Sequence, residues 1–169
     1  MKNENIEIRP MRLTDVEVVA EIEKKCFSLP WSEKAYRDTL ANENALYLVA
    51  ELIEPENAET ESVAPTETGK RKIVGMCGVL KILDEGDISN VAVHPDYRRR
   101  NIARFMMDEL LKKGEEFGID SFTLEVRAGN EAAIKLYEHF GFRTEGIRKR
   151  FYDKPVEDAL IMWRRKENI

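Results

Sequence analysis

Hydrophobic and polar positions recur along this chain with two clear periods, and those periods name its elements. Ile6 to Arg9 alternates apolar and polar and predicts a short strand. Thr14-Asp15-Val16-Glu17 has the pattern of a capping box, so a helix is expected to start there. Val16, Val19, Ala20, Ile22 and Cys26 then form one apolar stripe at helical spacing. Leu29-Pro30-Trp31-Ser32 interrupts the chain, and Ser32 is placed to cap a second helix over Glu33 to Leu40. Apolar, β-rich runs at Leu46 to Ile53, Lys72 to Leu83 and Asp87 to Val93 predict three strands. Ile102 to Phe117 reads as a helix and Ser121 to Arg127 as a strand. Glu131 to Phe140 reads as a helix closed by Gly141. Two further strands are expected at about Phe142 to Tyr152 and Asp158 to Arg165. The order β-α-α-β-β-β-α-β-α-β-β predicts a single-domain α/β fold, a mixed sheet flanked by helices.

One stretch breaks this pattern. A loop insertion at 54–70 separates the second and third strands. From Glu54 to Gly69 it holds Pro55, Pro65, three threonines and five glutamates, with few large apolar residues. Such a segment buries too little surface to offset its ordering entropy, and it is expected to be a long, mobile hairpin loop.

Composition narrows the class. The chain has 169 residues, 43% of them hydrophobic, with a formal charge of −5. That is enough to bury a core without staples. The acidic balance does not suit a non-specific nucleic-acid binder. Two cysteines, Cys26 and Cys77, make no disulfide framework, and two histidines make no metal-ligand cluster, so no metal is expected. No apolar run is long enough to span a bilayer, and Met1 to Asn5 carries no signal-peptide core. A cytoplasmic protein is expected, with no membrane partner and a monomer favoured.

Two stretches carry candidate chemistry. After the strand ending at Val93, His94-Pro95-Asp96-Tyr97 leads into Arg98-Arg99-Arg100-Asn101-Ile102-Ala103-Arg104. A loop with four arginines thus runs straight into a helix N-terminus, whose free N–H groups and positive dipole end suit an anion such as a pyrophosphate. The bland alternative is a solvated basic turn. The second stretch is Leu124 to Tyr137. Phe122, Leu124 and Val126 share one face of a strand, and Thr123, Glu125 and Arg127 share the other. Taken singly, Glu125 is equally a half-exposed strand residue, Asn130 an N-cap and Tyr137 a core aromatic.

Together these stretches resemble the GNAT superfamily of acetyl-CoA-dependent N-acetyltransferases. The family's turn follows a Gln/Arg-x-x-Gly-x-Gly/Ala pattern after V-x-P-x-Y-R, and Arg98 to Ala103 occupies it here. The string L-E-V-R-x-x-N-x-x-A-I-x-L-Y-x-x-x-G-F matches Leu124 to Phe142 at every fixed position. Leu29-Pro30-Trp31-Ser32-Glu33, and Phe151-Tyr152 followed by Glu157-Asp158-Ala159, are similar to the branch that acetylates protein N-termini, ribosomal-protein-alanine N-acetyltransferases among them. The similarity runs from about Ile6 to Trp163, the insertion excepted. It departs at Asn101, which stands where the family has glycine. Asparagine is the commonest non-glycine residue in the left-handed region, so a weakened cofactor site is expected there.

The resemblance implies acetyl-CoA as co-substrate and gives the residues roles. Backbone groups of Val91, Ala92 and Val93 would meet the acetyl and pantetheine portion. Arg99, Arg100, Asn101, Ile102, Ala103 and Arg104 would wrap the pyrophosphate, and Asn130 would bond the pantetheine arm. Glu125 resembles the general base and Tyr137 the general acid. Leu29, Tyr36, Phe151 and Tyr152 would line the peptide groove. No covalent enzyme intermediate is implied, and neither cysteine has a base beside it in sequence. The implied partner is a protein N-terminus, of a ribosomal protein in the nearest branch. A GNAT enzyme of lysines or small amines, and a non-catalytic acetyl-CoA-binding subunit, stand as alternatives. The presence of both Glu125 and Tyr137 argues against the last.

Overall fold

The structure, a computed structural model, describes residues 5–54 and 69–166. Most of the expected loop insertion, 55–68, lies outside the described residues.

The elements follow the predicted order: β1 (Ile6–Pro10), α1 (Val16–Cys26), α2 (Glu33–Leu40), β2 (Ala45–Glu54), β3 (Lys70–Ile82), β4 (Glu85–Val93), α3 (Ile102–Glu116), β5 (Ser121–Arg127), α4 (Glu131–His139), β6 (Arg143–Asp153) and β7 (Val156–Arg164). The expected capping box at Thr14 does not form. Leu13–Asp15 is a 3-10 turn, and the Asp15 carboxylate instead accepts from the Arg12 backbone at 2.7 Å and from Arg9 Nη1 at 2.8 Å. The helix starts later than that box requires, at Val16, with Asp15 rather than Thr14 in the N-cap position.

The strands form one seven-stranded sheet in the order β1-β2-β3-β4-β5-β7-β6. Only β4 and β5 run parallel; the other neighbours are antiparallel. Helices cover both faces. On one, Val16, Val19 and Ile22 of α1 and Tyr36 of α2 close over Tyr47, Val49, Met76 and Ala92. On the other, Met106, Met107, Leu110 and Leu111 of α3 close over Leu48, Val74, Val79 and Phe122. Burial of these side chains from both sides is the main stabilising contribution, roughly 1.5–3 kcal/mol per large apolar group.

A β-bulge in β4 decides what the centre of the sheet presents. Gly78 of β3 faces Asn90 and Val79 faces Ile88, which leaves Ser89 as an extra residue. The insertion switches faces: Ile88 joins the α3-side core, whereas Ala92, four residues on, joins the α1-side core. Asn90 likewise turns toward α1 and is 5% exposed.

Candidate active site

The parallel pairing of β4 with β5 covers only Glu85–Ile88 against Ser121–Leu124. Beyond Ile88 and Leu124 the two strands part, and a cleft of about 830 Å³ opens between them. Divergence of parallel strands at the centre of an α/β sheet is the usual place for a ligand. It also leaves one edge of β4 unpaired. The His94 N–H donates to Val74 O of β3 at 2.8 Å. Strand alternation therefore turns the backbone groups of Val91 and Val93 away from β3, to the unpaired edge. Val91 lines the cleft, whereas Val93 O accepts from Cys26 Sγ at 3.4 Å and Arg98 Nε at 3.2 Å. Ala92, expected to join them, turns its backbone to β3 and its methyl into the core, where it is 4% exposed.

The two candidate proton-transfer residues reach this gap from opposite faces. In β5, Phe122, Leu124 and Val126 are buried on the α3 side, so Glu125 stands on the α1 side. Tyr137 of α4 comes from the α3 side, where its ring lies 6.0 Å from that of Phe142. Both line the cleft. The Glu125 carboxylate is paired with Arg148 Nε of β6 at 2.9 Å. Burial holds the Tyr137 phenol well above the usual tyrosine range, with Tyr152 and Cys77 adding to it. Its hydroxyl stays protonated across the neutral range, the state an acid requires. Asp87, on β4 opposite Thr123, also lines the cleft. Desolvation raises its carboxyl against the pull of the Arg148 charge, although the side chain reaches solvent.

The α1–α2 connection and the β6–β7 hairpin supply the outer walls. Leu29 and Phe151 stand exposed at the rim, 64% and 45%, and Tyr152 lies below them. Arg127 holds the hairpin in place. Its guanidinium sits 4.2 Å from the centre of the Tyr152 ring and donates to the carbonyls of Lys154 at 3.2 Å and Pro155 at 3.0 Å. Tyr36, expected in this wall, is not there. Its side chain is wholly buried, stacked beside Trp31 and Tyr47, and its hydroxyl donates to Glu23 at 2.7 Å. The 3.6-residue period of α2 turns it to the core side.

The arginine turn leads into an uncapped helix. Arg99 and Asn101 both take the left-handed backbone, with φ of 63° and 60°. Among the described residues no side chain caps α3, whereas Ser32 caps α2 and Asn130 caps α4. The first N–H groups of α3 are therefore open to an anion. Arg99, Arg100 and Arg104 are exposed around them, Arg100 lying 5.1 Å from the Tyr97 ring centre. Ile102 is buried, so only its backbone faces outward, and Ala103 is half-buried. Asn130 accepts from Ala133 N at 3.2 Å and lines the cleft. Its Nδ2 has no partner among the described residues. These features fit a phosphate-bearing co-substrate whose arm runs from the turn into the cleft.

Sequence reasoning passed over Glu23, Asn90 and Asp87, which also line this cleft, and Arg148, which pairs with Glu125. Glu23 carried a signal: it follows Val19 by four residues and so falls on the apolar stripe of α1. Cys26 reaches the cleft too. Burial raises its thiol against the pull of Arg98, which makes it a poor nucleophile.

Among the described residues no helix is long and apolar enough to cross a membrane, and no three His, Cys, Asp or Glu side chains gather as metal ligands. The chain is 34% identical over 157 residues, 92% of its length and 94% of the relative's, to the [ribosomal protein bS18]-alanine N-acetyltransferase of Escherichia coli K12. It is 33% identical over 151 residues, 88% and 90% of the two chains, to that of Salmonella typhimurium. The crystal structure of the ribosomal-protein-S18-alanine N-acetyltransferase from Escherichia coli superposes with a TM-score of 0.75, 30% identity, and coverage of 97% and 98% of the two chains. The sequence profile of the acetyltransferase (GNAT) family matches residues 16–142. With that match across most of the chain, on a sheet parted at its centre, the protein belongs to the GNAT acetyltransferase family.

Proposed function

We propose that this protein transfers an acetyl group from acetyl-CoA to the α-amino group of a protein N-terminus, in the class of the ribosomal protein bS18-alanine acetyltransferases it is similar to. The observation that carries the reading is the meeting of Glu125 and Tyr137, from opposite faces of the sheet, in one cleft. The uncapped start of α3 with Arg99, Arg100 and Arg104 would hold the pyrophosphate, and Asn130 the pantetheine arm. When bound, acetyl-CoA supplies an acetyl group already activated as a thioester. Glu125 takes the proton of the attacking amine, directly or through water, as the N–C bond forms. The Val93 N–H on the open edge of β4 stabilises the charge that gathers on the carbonyl oxygen. Tyr137, kept protonated by burial, gives its proton to the departing sulfur as the C–S bond breaks.

The choice of amine follows from proton affinity. An α-amino group titrates near ~7.7–8.0 and a lysine near ~10.4, so at pH 7.5 about a third of α-amines are neutral against roughly 0.1% of lysines. One carboxylate base suffices for the first. The exposed Leu29 and Phe151 walls suit a chain end laid between them. The test uses two identical peptides with an N-terminal alanine or serine and an internal lysine, one with a free and one with a blocked N-terminus. Acetylation confined to the free peptide, localised to residue one by fragmentation, is expected. Equal labelling of the blocked peptide on lysine would overturn the reading in favour of a lysine or small-amine enzyme.

A further inference from the structure

Glu23 is the buried carboxylate of α1 that the mechanism above does not use. It is 2% exposed. The other two buried carboxylates among the described residues, Asp15 and Glu51, share the Arg9 guanidinium. The partners of Glu23 are all uncharged: the Tyr36 hydroxyl at 2.7 Å on Oε2, and the Asn90 side-chain amide at 3.1 Å and the Trp31 backbone N–H at 3.3 Å on Oε1. A buried carboxylate with no cation beside it is expensive, and hydrogen bonds from neutral donors return only part of that cost. Stability alone therefore does not explain a carboxylate here. Its position does: Glu23, Trp31 and Asn90 all border the cleft, Trp31 on the peptide-side wall and Asn90 on the strand whose open edge faces the acetyl donor. The chain of contacts continues inward, because the Tyr47 hydroxyl donates to Asn90 Oδ1 at 3.3 Å and bonds Ser89, the bulge residue of β4.

We infer that Glu23 is a positioning residue for the peptide: through the one oxygen Oε1 it ties the Leu29–Trp31 wall to Asn90 of β4 and so fixes the width of the cleft between substrate wall and acetyl-donor strand. The inference rests on the peptide substrate proposed above. Two acceptor lone pairs on one oxygen are what the geometry requires, since the Trp31 N–H comes from the loop and the Asn90 amide from the sheet. A leucine fills the volume but takes this acceptor from the Trp31 N–H, the Asn90 amide and the Tyr36 hydroxyl. A glutamine keeps an oxygen for both, and its amide can donate to a turned Tyr36 hydroxyl. Burial raises the Glu23 carboxyl, and the three donors pull it back.

The experiment compares Glu23→Leu and Glu23→Gln with the parent protein. It measures peptide KM and kcat separately, acetyl-CoA affinity by calorimetry, thermal midpoint, and hydrogen exchange of the Trp31 amide. Glu23→Leu is expected to raise peptide KM by about tenfold, the worth of one lost hydrogen bond to a charged group, and to speed Trp31 exchange while acetyl-CoA affinity stays within about twofold. Glu23→Gln is expected to keep KM within about threefold of the parent. A Glu23→Leu variant with parental KM and a lowered midpoint overturns the inference, since Glu23 is then only structural. A Glu23→Gln variant with parental KM and collapsed kcat also overturns it, since the carboxylate then takes part in proton transfer. If Glu23→Leu does not fold, Asn90→Leu, which cuts the tether from the strand side, carries the same KM expectation. A parent protein that acetylates no peptide N-terminus sinks the substrate reading instead, a result separate from either outcome for Glu23.

Discussion

Arg148 Nε lies 2.9 Å from Glu125 Oε1, so the candidate base is paired with a cation before any substrate amine arrives. Arg148 comes from β6 and is 56% exposed, which marks the pair as weak and easily exchanged. Glu125→Gln is expected to lower kcat by ~10²–10⁴ with acetyl-CoA affinity unchanged, the usual worth of a positioned base. Arg148→Ala is expected to change stability by less than about 1 kcal/mol and kcat by less than about fivefold. Steady-state kinetics of both variants across pH 6.5–9, with calorimetric titration of acetyl-CoA, check this. A loss below about tenfold in Glu125→Gln removes that residue from the mechanism.

The turn before α3 makes a conformational prediction. Asn101 sits at φ 60°, a region in which a residue with a Cβ is strained and glycine is not. Asn101→Gly is expected to bind acetyl-CoA at least as tightly as the parent. Asn101→Val, β-branched at positive φ, is expected to cost about 1–2 kcal/mol of stability. Arg99→Ala is expected to weaken acetyl-CoA binding by about 1–3 kcal/mol through a lost charge-assisted contact. Calorimetry and thermal melting of the three variants separate these effects. Unchanged affinity in Arg99→Ala, with weaker binding by Asn101→Gly, would move the pyrophosphate elsewhere.

A third prediction concerns the strand edge far from the cleft. Arg9 holds Asp15 at 2.8 Å and Glu51 at 3.2 Å, and all three side chains are nearly buried. The Arg9 hydrogen bond lowers the Glu51 carboxyl against the effect of burial. For Asp15 burial is the largest influence and raises it, but Arg9 and the Arg12 backbone outweigh burial and the net direction is down. Arg9→Ala leaves buried Asp15 without its cation, while Glu51 keeps Arg71 at 3.0 Å, and the change is expected to cost about 3 kcal/mol at pH 7. A carboxyl whose value is lowered by folding stabilises above its ordinary range and loses that contribution as pH falls. The gap between parent and Arg9→Ala in urea unfolding should therefore shrink below about pH 4. A gap that widens on acidification would contradict the pairing.

Gly78 offers a fourth test. It faces Tyr47 across the β2–β3 ladder, and a Cβ on it would overlap the Tyr47 ring. That ring carries the hydroxyl bound to Ser89 and Asn90. Gly78→Ala is expected to destabilise by about 1–3 kcal/mol through overpacking. It should also disturb the cleft through the displaced hydroxyl. Thermal melting together with peptide KM reads both. A variant with an unchanged midpoint would show that the ring moves aside freely.

Each helix and strand was legible because its period survives in the sequence: Val19, Ile22 and Cys26 on α1, or Phe122, Leu124 and Val126 on β5, bury one face each. What the periods do not carry is neighbour order. Nothing along the chain says that β7 inserts between β5 and β6, and the approach of Arg148 to Glu125 depends on that order. Ser89 was hidden for a related reason, since a bulge shows only when two strands are laid in register. Tyr36 misled because an aromatic near a predicted groove looks like a wall residue, whereas the hydroxyl found its partner inside, at Glu23. The glycine-like turn at Asn101 was anticipated because residue type and backbone region are directly coupled.

The brevity of the β4–β5 ladder has a mechanical consequence. Two halves of the sheet, β1–β4 and β5–β7–β6, meet through pairs spanning only Glu85–Ile88 and Ser121–Leu124, like the pivot of a pair of pliers. Past Ile88 the β4 jaw extends five more residues, to Val93. At about 3.3 Å per residue that is a lever of roughly 16 Å, so a rotation of about 5° at the pivot shifts the tip by roughly 1.4 Å. Displacements of that size matter to acyl transfer. A Cβ added to Gly86 at the pivot would meet Val79 at 2.8 Å and Ile119 at 3.0 Å, so Gly86→Ala is expected to shift the jaws and alter turnover without touching either reactant, which steady-state kinetics would read.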